Sequence, residues 1–417
     1  MKNFNLNRKL DILMKFVERE FIPVILGGDI NTYSVARAFY EEYQVKTTVM
    51  GKFPSGPSYG SRIIDYIPNE TIDREETFLK QINEFSNENA SKKIFLLGAG
   101  DNYINMIAKN KEKLPENIIA PFISHELMDN LQRKDYFYSY CEKVGVNYPD
   151  TVVVTKDMGL DFDVPFSYPV ILKSSESIHY WDYPFPEQEK VFTMNNREEL
   201  NNMITKIYAA GYPESLIIQD MIPGNDEFMY VLTSYSDQRG KVTMMCLGHV
   251  LLEEHTPLGK GNHAIIITDY NKELMEQAQS FLEDIEFVGF SNFDIKYDTR
   301  DGKYKFFEIN TRQGRSNYYV TGSGFNIARY LVDDYIYNKE KDLEVAKEPH
   351  LWSVVPKKVA FKYVQQKENL ELMEKLIKED KAVNPIFYKP DLPLKRFIQM
   401  SKNYLSHFMK FKKWKIL

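Results

Sequence analysis

The stretch Phe306-Phe307-Glu308-Ile309-Asn310-Thr311-Arg312-Gln313-Gly314-Arg315-Ser316 constrains this chain more than any other. An apolar run leads into a carboxylate and an amide two residues apart. On a strand, residues i and i+2 point to the same face. Glu308 and Asn310 therefore present several oxygen lone pairs to one point. That is hard-cation chemistry, suited to Mg²⁺ and the phosphates it bridges. Arg312 continues the face and Arg315 follows Gly314. Guanidinium forks match phosphate and carboxylate oxygens. A strand end with a solvated polar loop would look similar in isolation, so neighbouring segments must decide.

Upstream, Gly289-Phe290-Ser291-Asn292-Phe293-Asp294-Ile295-Lys296-Tyr297-Asp298 alternates polar and apolar residues. Asp301-Gly302 is a hairpin turn signal, and Lys303 to Glu308 returns antiparallel. Pairing around that turn brings Asp294 to the Glu308–Asn310 end of its partner. Asp294, Glu308 and Asn310 are the expected metal ligands. This hairpin resembles the metal-binding end of the ATP-grasp superfamily, the ADP-forming carboxylate–amine ligases.

The remaining segments follow the order that resemblance implies. Phe21 to Asp29 reads as a buried strand ending in glycines, with Asn31 or Thr32 capping a helix from Tyr33 to Tyr43. Val45 to Met50 and Ile94 to Asp101 repeat the strand pattern, the latter ending Gly98-Ala99-Gly100. Strands alternating with helices imply a parallel, Rossmann-like sheet. The first strand lacks G-x-G-x-x-G, which weakens a dinucleotide reading. Leu127 to Val144 is helical in pattern and contains Lys134, the first nucleotide-binding lysine by resemblance. Pro169 to Lys173 ends an apolar strand on an ammonium. Burying that charge is costly unless it is paired, and phosphate oxygens would pair it. The loop Ser174 to Ser177 stands where many relatives carry a glycine-rich flap, yet it has no glycine.

Leu216 to Glu227 resembles the family's interdomain hinge. Backbone groups of Gln219, Asp220, Met221 and Ile222 would read the adenine edge. Either Asp226 or Glu227 would accept from the ribose hydroxyls. The loop from His255 to His263 is glycine-bearing, and Lys260 within it could reach the transferred phosphoryl group. Its two histidines lack the companions a zinc site needs. Asn326 to Tyr337 reads as a closing helix. Asn292 stands where relatives such as the D-alanine–D-alanine ligases carry an arginine, so the oxyanion-stabilising role has no evident holder.

The expected architecture is α/β, with α+β character in the nucleotide domain. Residues 1–126 form a Rossmann-like pre-ATP-grasp domain. Residues 127–337 form the ATP-grasp domain, in subdomains 127–215 and 216–337 with a hinge near 219–224. Residues 338–417 form a C-terminal extension. Within the superfamily, Ile25 to Phe39 and Glu308 to Tyr319 look like the D-aspartate ligases of Gram-positive peptidoglycan assembly. That resemblance implies ATP, two Mg²⁺ ions, a small amino-acid substrate and an amine acceptor such as a UDP-muramyl peptide. Lys134 and Lys173 would hold phosphates. Arg312 and Arg315 would hold an acyl phosphate and the substrate's other carboxylate. Alternatives are a ligase for another amino acid or peptide, a non-catalytic ATP-binding regulator, and a carboxylase or carbamoyl-phosphate-type synthase. No biotin or glutamine partner domain is visible.

Composition bounds the rest. The 417 residues are 43% hydrophobic, enough for two or three cored domains. A formal charge of −6 excludes a general nucleic-acid binder. Cys141 and Cys246, the two cysteines, read as buried thiols. No N-terminal apolar leader and no membrane-length apolar run is seen, so a cytoplasmic protein is expected. After Asp391 there is no acid, while Lys395, Arg396, Lys402, Lys410, Lys412, Lys413 and Lys415 follow among Phe397, Tyr404, Phe408, Phe411 and Trp414. The expectation is a helix packing Tyr404, Phe408 and Phe411 on the body, with weak peripheral membrane contact as the alternative.

Overall fold

The computed structural model describes residues 14–176, 179–256, 259 and 261–414. Three sheets organise them. The first is parallel, with strands β1 (Phe21–Leu26), β2 (Thr47–Gly51), β3 (Ile64–Pro68), β4 (Lys93–Gly98) and β5 (Ile118–Ile119), in the order β3-β2-β1-β4-β5. β1 is apolar along its length because helices cover both faces of such a sheet. Helices α1 (Ile30–Tyr43), α2 (Glu75–Glu88) and α3 (Asp101–Lys109) make the crossovers. Strand order reverses between β1 and β4, so their glycine turns open one crevice. Gly27 has φ +144, and a Cβ there would meet Thr32 Oγ1 at 2.5 Å. The α1 cap is corrected: Asp29 accepts from Thr32 N at 3.1 Å, and Asn31 and Thr32 lie inside the helix. An aspartate is the better acceptor for the first-turn amides.

The expected helix 127–144 is two helices, α4 (His125–Gln132) and α5 (Lys134–Val144). Arg133 between them is extended, at φ −82 and ψ 122. The break lets the Lys134 amide donate to Ser175 O at 3.0 Å. A second, four-stranded sheet follows, β6 (Thr151–Val154), β7 (Val170–Ser174), β8 (Val191–Met194) and β9 (Leu216–Asp220), ordered β6-β9-β7-β8 and antiparallel. Helix α6 (Arg197–Ala209) covers it, burying Leu200 and Ile204 against Val170 and Leu172.

The largest sheet has eight strands. β10 (Met229–Ser236), β11 (Val242–Glu253), β12 (His263–Asp269), β13 (Gly289–Asp298) and β14 (Lys303–Asn310) form most of it, with α7 (Lys272–Asp284) between β12 and β13. Helices α8 (Tyr318–Gly322) and α9 (Ile327–Tyr335) follow, the latter capped by Asn326. The stretch beyond 337 is woven into the same sheet. β15 (Glu344–Val345) pairs β11, while β16 (Leu351–Ser353) and β17 (Ala382–Val383) extend the β12 edge, around α10 (Lys357–Tyr363) and α11 (Lys367–Lys378).

The chain ends in α12 (Leu394–Lys413). Asp391, fully buried, accepts from Tyr33 Oη at 2.8 Å, Ser61 Oγ at 2.7 Å and Arg62 N at 2.6 Å. Arg396 lies 3.3 Å from it and bonds the Pro57 carbonyl at 2.6 Å. These bonds tie α12 to the parallel-sheet region. Tyr404 packs on Phe387 and Phe411 is buried, as the spacing requires. Phe408 departs from that expectation: it shares the helical face of Tyr404 and Phe411 but lies at its outer margin and is 40% exposed. Both cysteines are free and buried. Among the described residues no helix is long and apolar enough to cross a membrane.

Candidate active site

The β13–β14 hairpin supplies the acidic centre. Asp294 pairs directly with Glu308, and Asn292 with Asn310. A β-bulge between Asp294 and Ile295 leaves Phe307 without an opposite residue. The extra residue shifts the phase of β14, so Phe306 enters the core while Glu308 faces the cleft. Bulges commonly re-aim side chains beside active sites in this way. Asn310 Nδ2 lies 3.4 Å from Asp294 Oδ2, and Asn292 Nδ2 lies 3.5 Å from Asp294 Oδ1.

The small sheet and α5 bring the cations. Lys134 and Lys173 are 6% and 8% exposed. Lys134 Nζ lies 3.9 Å from Glu308 Oε2. Lys173 Nζ donates to Tyr138 Oη at 2.9 Å, and Tyr138 donates to the Phe307 carbonyl at 2.7 Å. Burial, reinforced by Lys134, pushes the Lys173 ammonium down to about 7. Burial also lowers Lys134, against the pull of Glu308. Glu308 behaves oppositely. Against the burial that would raise it, the ammoniums of Lys134, Lys190 and Lys173 hold it down at about 2. Burial and the facing Glu308 hold Asp294 well above the usual carboxylate range. Two acids, one amide and no soft ligand make an oxygen-only donor set. A divalent cation would offset the repulsion that raises Asp294, so these residues fit Mg²⁺.

The arginines come from the loop after β14. Arg312 grips Asp101 at the start of α3, with Nε to Oδ1 at 2.7 Å and Nη2 to Oδ2 at 2.9 Å. Against its burial, Asp101 keeps this guanidinium firmly charged. The same loop is bolted to the glycine crevice. Gln313 Nε2 donates to Gly98 O at 3.1 Å, Asn31 Nδ2 to Ala99 O at 3.0 Å, and Asn317 Nδ2 to Asn31 Oδ1 at 2.8 Å. Arg315 Nη2 lies 3.1 Å from Glu254 Oε1. Lys134, Lys173, Asp294, Glu308, Asn310 and Arg312 thus gather where the four-stranded sheet, the large sheet and the edge of the parallel sheet meet.

The hinge residues take several roles. Gln219 is buried, its amide donating to Thr151 Oγ1 at 2.8 Å. Asp220 pairs with Arg300. Met221 is half-buried. The Ile222 carbonyl accepts from Lys296 Nζ at 2.9 Å. Asp226 Oδ2 accepts from His255 Nε2 at 2.9 Å and Glu253 N at 2.9 Å, and among the described residues none donates to Oδ1. Glu227 is committed elsewhere: its carboxylate accepts from Gln365 N at 2.8 Å, Gln366 N at 3.0 Å and Asn369 Nδ2 at 2.8 Å. Lys260 lies outside the described residues, as does Ser177 of the serine loop.

Three participants escape sequence reasoning. Tyr138 had a signal, since it lies one turn after Lys134 on the same helical face. Lys190 follows Pro186-Glu187-Gln188-Glu189, a charged stretch with no periodicity to mark it. Asp101 lies 211 residues from its partner Arg312.

The protein is an ATP-grasp carboxylate–amine ligase. It shares that fold with an L-amino acid ligase from Bacillus licheniformis (16% identity, 76% of this chain and 75% of that one, TM-score 0.54). It also shares it with the N5-carboxyaminoimidazole synthetase from Staphylococcus aureus (16%, 88% of each, TM-score 0.57). A third is the biotin carboxylase domain of the Hydrogenobacter thermophilus 2-oxoglutarate carboxylase, solved with MgADP (15%, 79% and 72%, TM-score 0.58). No family model matches the chain. Its sequence is 38% identical over 415 residues to the D-aspartate ligase of Enterococcus faecium, covering 96% of this chain and 99% of that protein. The chain belongs to the D-aspartate ligase family.

Proposed function

We propose that this ligase joins the β-carboxylate of D-aspartate to the lysine side-chain amine of a peptidoglycan precursor such as a UDP-muramyl peptide, through an acyl phosphate. The observation that carries the reading is the cleft in which Glu308 stands 3.9 Å from the Lys134 ammonium, opposite Asp294, with Arg312 on the adjoining loop. Such an arrangement suits a phosphoryl group placed beside a carboxylate.

ATP would lie between the four- and eight-stranded sheets. Lys134 and Lys173 would take its phosphates, and bound phosphate would restore full protonation to Lys173. Backbone groups of residues 219–222 would meet the adenine edge, and Asp226, through Oδ1, the ribose. Asp294, Glu308 and Asn310 would hold two Mg²⁺ ions. When bound, these supply positive charge beside the terminal phosphates. Arg312, oriented by Asp101, and Arg315, oriented by Glu254, would fix the amino acid's carboxylates and the acyl phosphate. The attacking carboxylate oxygen bonds to the γ-phosphorus as the bridging oxygen leaves with ADP. The amine then bonds to the acyl carbon, phosphate departs, and the amine gives up a proton.

The test is ADP release across a panel of amino acids, with and without a muramyl-peptide acceptor. D-Aspartate should stand out, and release should rise with the acceptor. AMP formed in step with product would overturn the acyl-phosphate route. A different preferred acid would overturn only the substrate.

A further inference from the structure

We propose that the outer face of α12 is a docking surface for an anionic lipid interface. The helix has two apolar faces, and the fold uses one. Arg396, Met400 and Phe411 are buried against the body, and Phe411 packs on Tyr363 at 5.3 Å. At 100° per residue, Leu394, Phe397, Ile398, Leu405, Phe408 and Met409 fall within an arc of about 120° on the opposite side. Leu394 and Met409 are 74% and 72% exposed, and the other four are 40–55% exposed. Phe397, at one border of the stripe, touches Phe387 edge-on at 6.3 Å, and all six side chains keep 40% or more of their surface exposed.

Charge identifies the occupant. Lys395, Lys402 and Lys413 run along one border of the stripe and Lys412 stands at its end, while no acid follows Asp391 in a chain of net charge −6. A second copy of this helix, docked antiparallel about a two-fold axis, would lay lysine against lysine. An anionic lipid surface meets the same lysines with opposite charge and takes the apolar stripe into its headgroup boundary. Twenty residues of helix lie flat over about 30 Å. Lysine stems can lie along the apolar stripe with their ammoniums at the phosphates. The inner-face anchors, above all Arg396 on Asp391, hold the helix as a rigid outer edge of the protein.

The test uses the full chain and sedimentation with vesicles of phosphatidylcholine alone or mixed with phosphatidylglycerol. The chain should bind the mixed vesicles at low salt, release as salt rises, and ignore neutral vesicles. Ile398→Glu with Leu405→Glu and Met409→Glu should lower partitioning at least tenfold while leaving melting temperature and ADP release from soluble substrates unchanged. Lys395→Gln with Lys402→Gln and Lys413→Gln, which touches no apolar residue, should weaken binding and flatten its salt dependence. No binding to mixed vesicles at low salt, or equal binding by the glutamate variant, would overturn the proposal. So would a dimer that the glutamate variant dissociates in the absence of vesicle binding.

Discussion

Asp294 and Glu308 face each other directly across the β13–β14 ladder, and their surroundings drive their acidities apart, Asp294 upward and Glu308 downward. The asymmetry comes from the cations. Lys134 stands 3.9 Å from Glu308 and Lys190 and Lys173 add to its pull, whereas at Asp294 burial, Glu308 and Glu253 outweigh Lys190. Two buried carboxylates in register cannot both ionise without a compensating charge.

Glu308→Gln should therefore act on both chemistry and stability. Removing this preorganised charge should lower turnover by roughly two orders of magnitude. The ligand-free protein should also lose about 1–3 kcal/mol, because the buried ammoniums of Lys134 and Lys173 lose the Glu308 charge. Steady-state ADP release and urea unfolding read the two effects. Near-normal turnover would remove Glu308 from the site.

Lys173 carries the pH dependence. Its value is pushed down to about 7 from an ordinary 10.5. Between these limits the unfolded chain binds more protons than the folded one, so ligand-free stability should rise with pH across the window. Bound phosphate favours the charged form. Nucleotide binding above about pH 7 should then take up a proton, and affinity should fall as pH rises. Lys173→Met should lower affinity at least tenfold, about 1.4 kcal/mol, abolish both trends, and leave ligand-free stability equal or higher. Calorimetry in buffers of different ionisation enthalpy tests this; pH-independent wild-type affinity between about pH 7 and 9 would refute it.

Asp101 positions Arg312 across the crevice between the first and third sheets. Asp101→Asn keeps the size but weakens the two-point grip. The Michaelis constant for the amino acid should rise about tenfold while that for ATP stays within about twofold. Equal changes in both constants would point to a general distortion instead.

Asp226 and Glu227 are adjacent acids with separate tasks. Glu227→Gln should destabilise the protein by about 1–3 kcal/mol, because Gln365, Gln366 and Asn369 lose an ionised acceptor. Nucleotide affinity should hold. Asp226→Asn should weaken nucleotide binding more than stability. A titration with ATP and a thermal melt of each variant separate the cases, and the reverse pattern would exchange the two roles.

Much of this protein was legible in its sequence. Alternation and a Asp301-Gly302 turn specify the β13–β14 hairpin, and i, i+2 spacing puts Glu308 and Asn310 on one face, because strand periodicity is local. An apolar strand ending on Lys173 announces a buried ammonium for the same reason. The tertiary structure decided what local pattern does not carry. The bulge at Phe307 separates Phe306 from Glu308 because the core demands one and the cleft the other. The break at Arg133 lets the Lys134 amide reach Ser175 O, just past the end of β7 and 41 residues onward. Arg312 finds Asp101 over 211 intervening positions, and Glu227 is claimed by a stretch 138 residues onward. Partner choice at such separations depends on which elements pack together. Packing is a property of the whole chain, and no window of periodicity contains it.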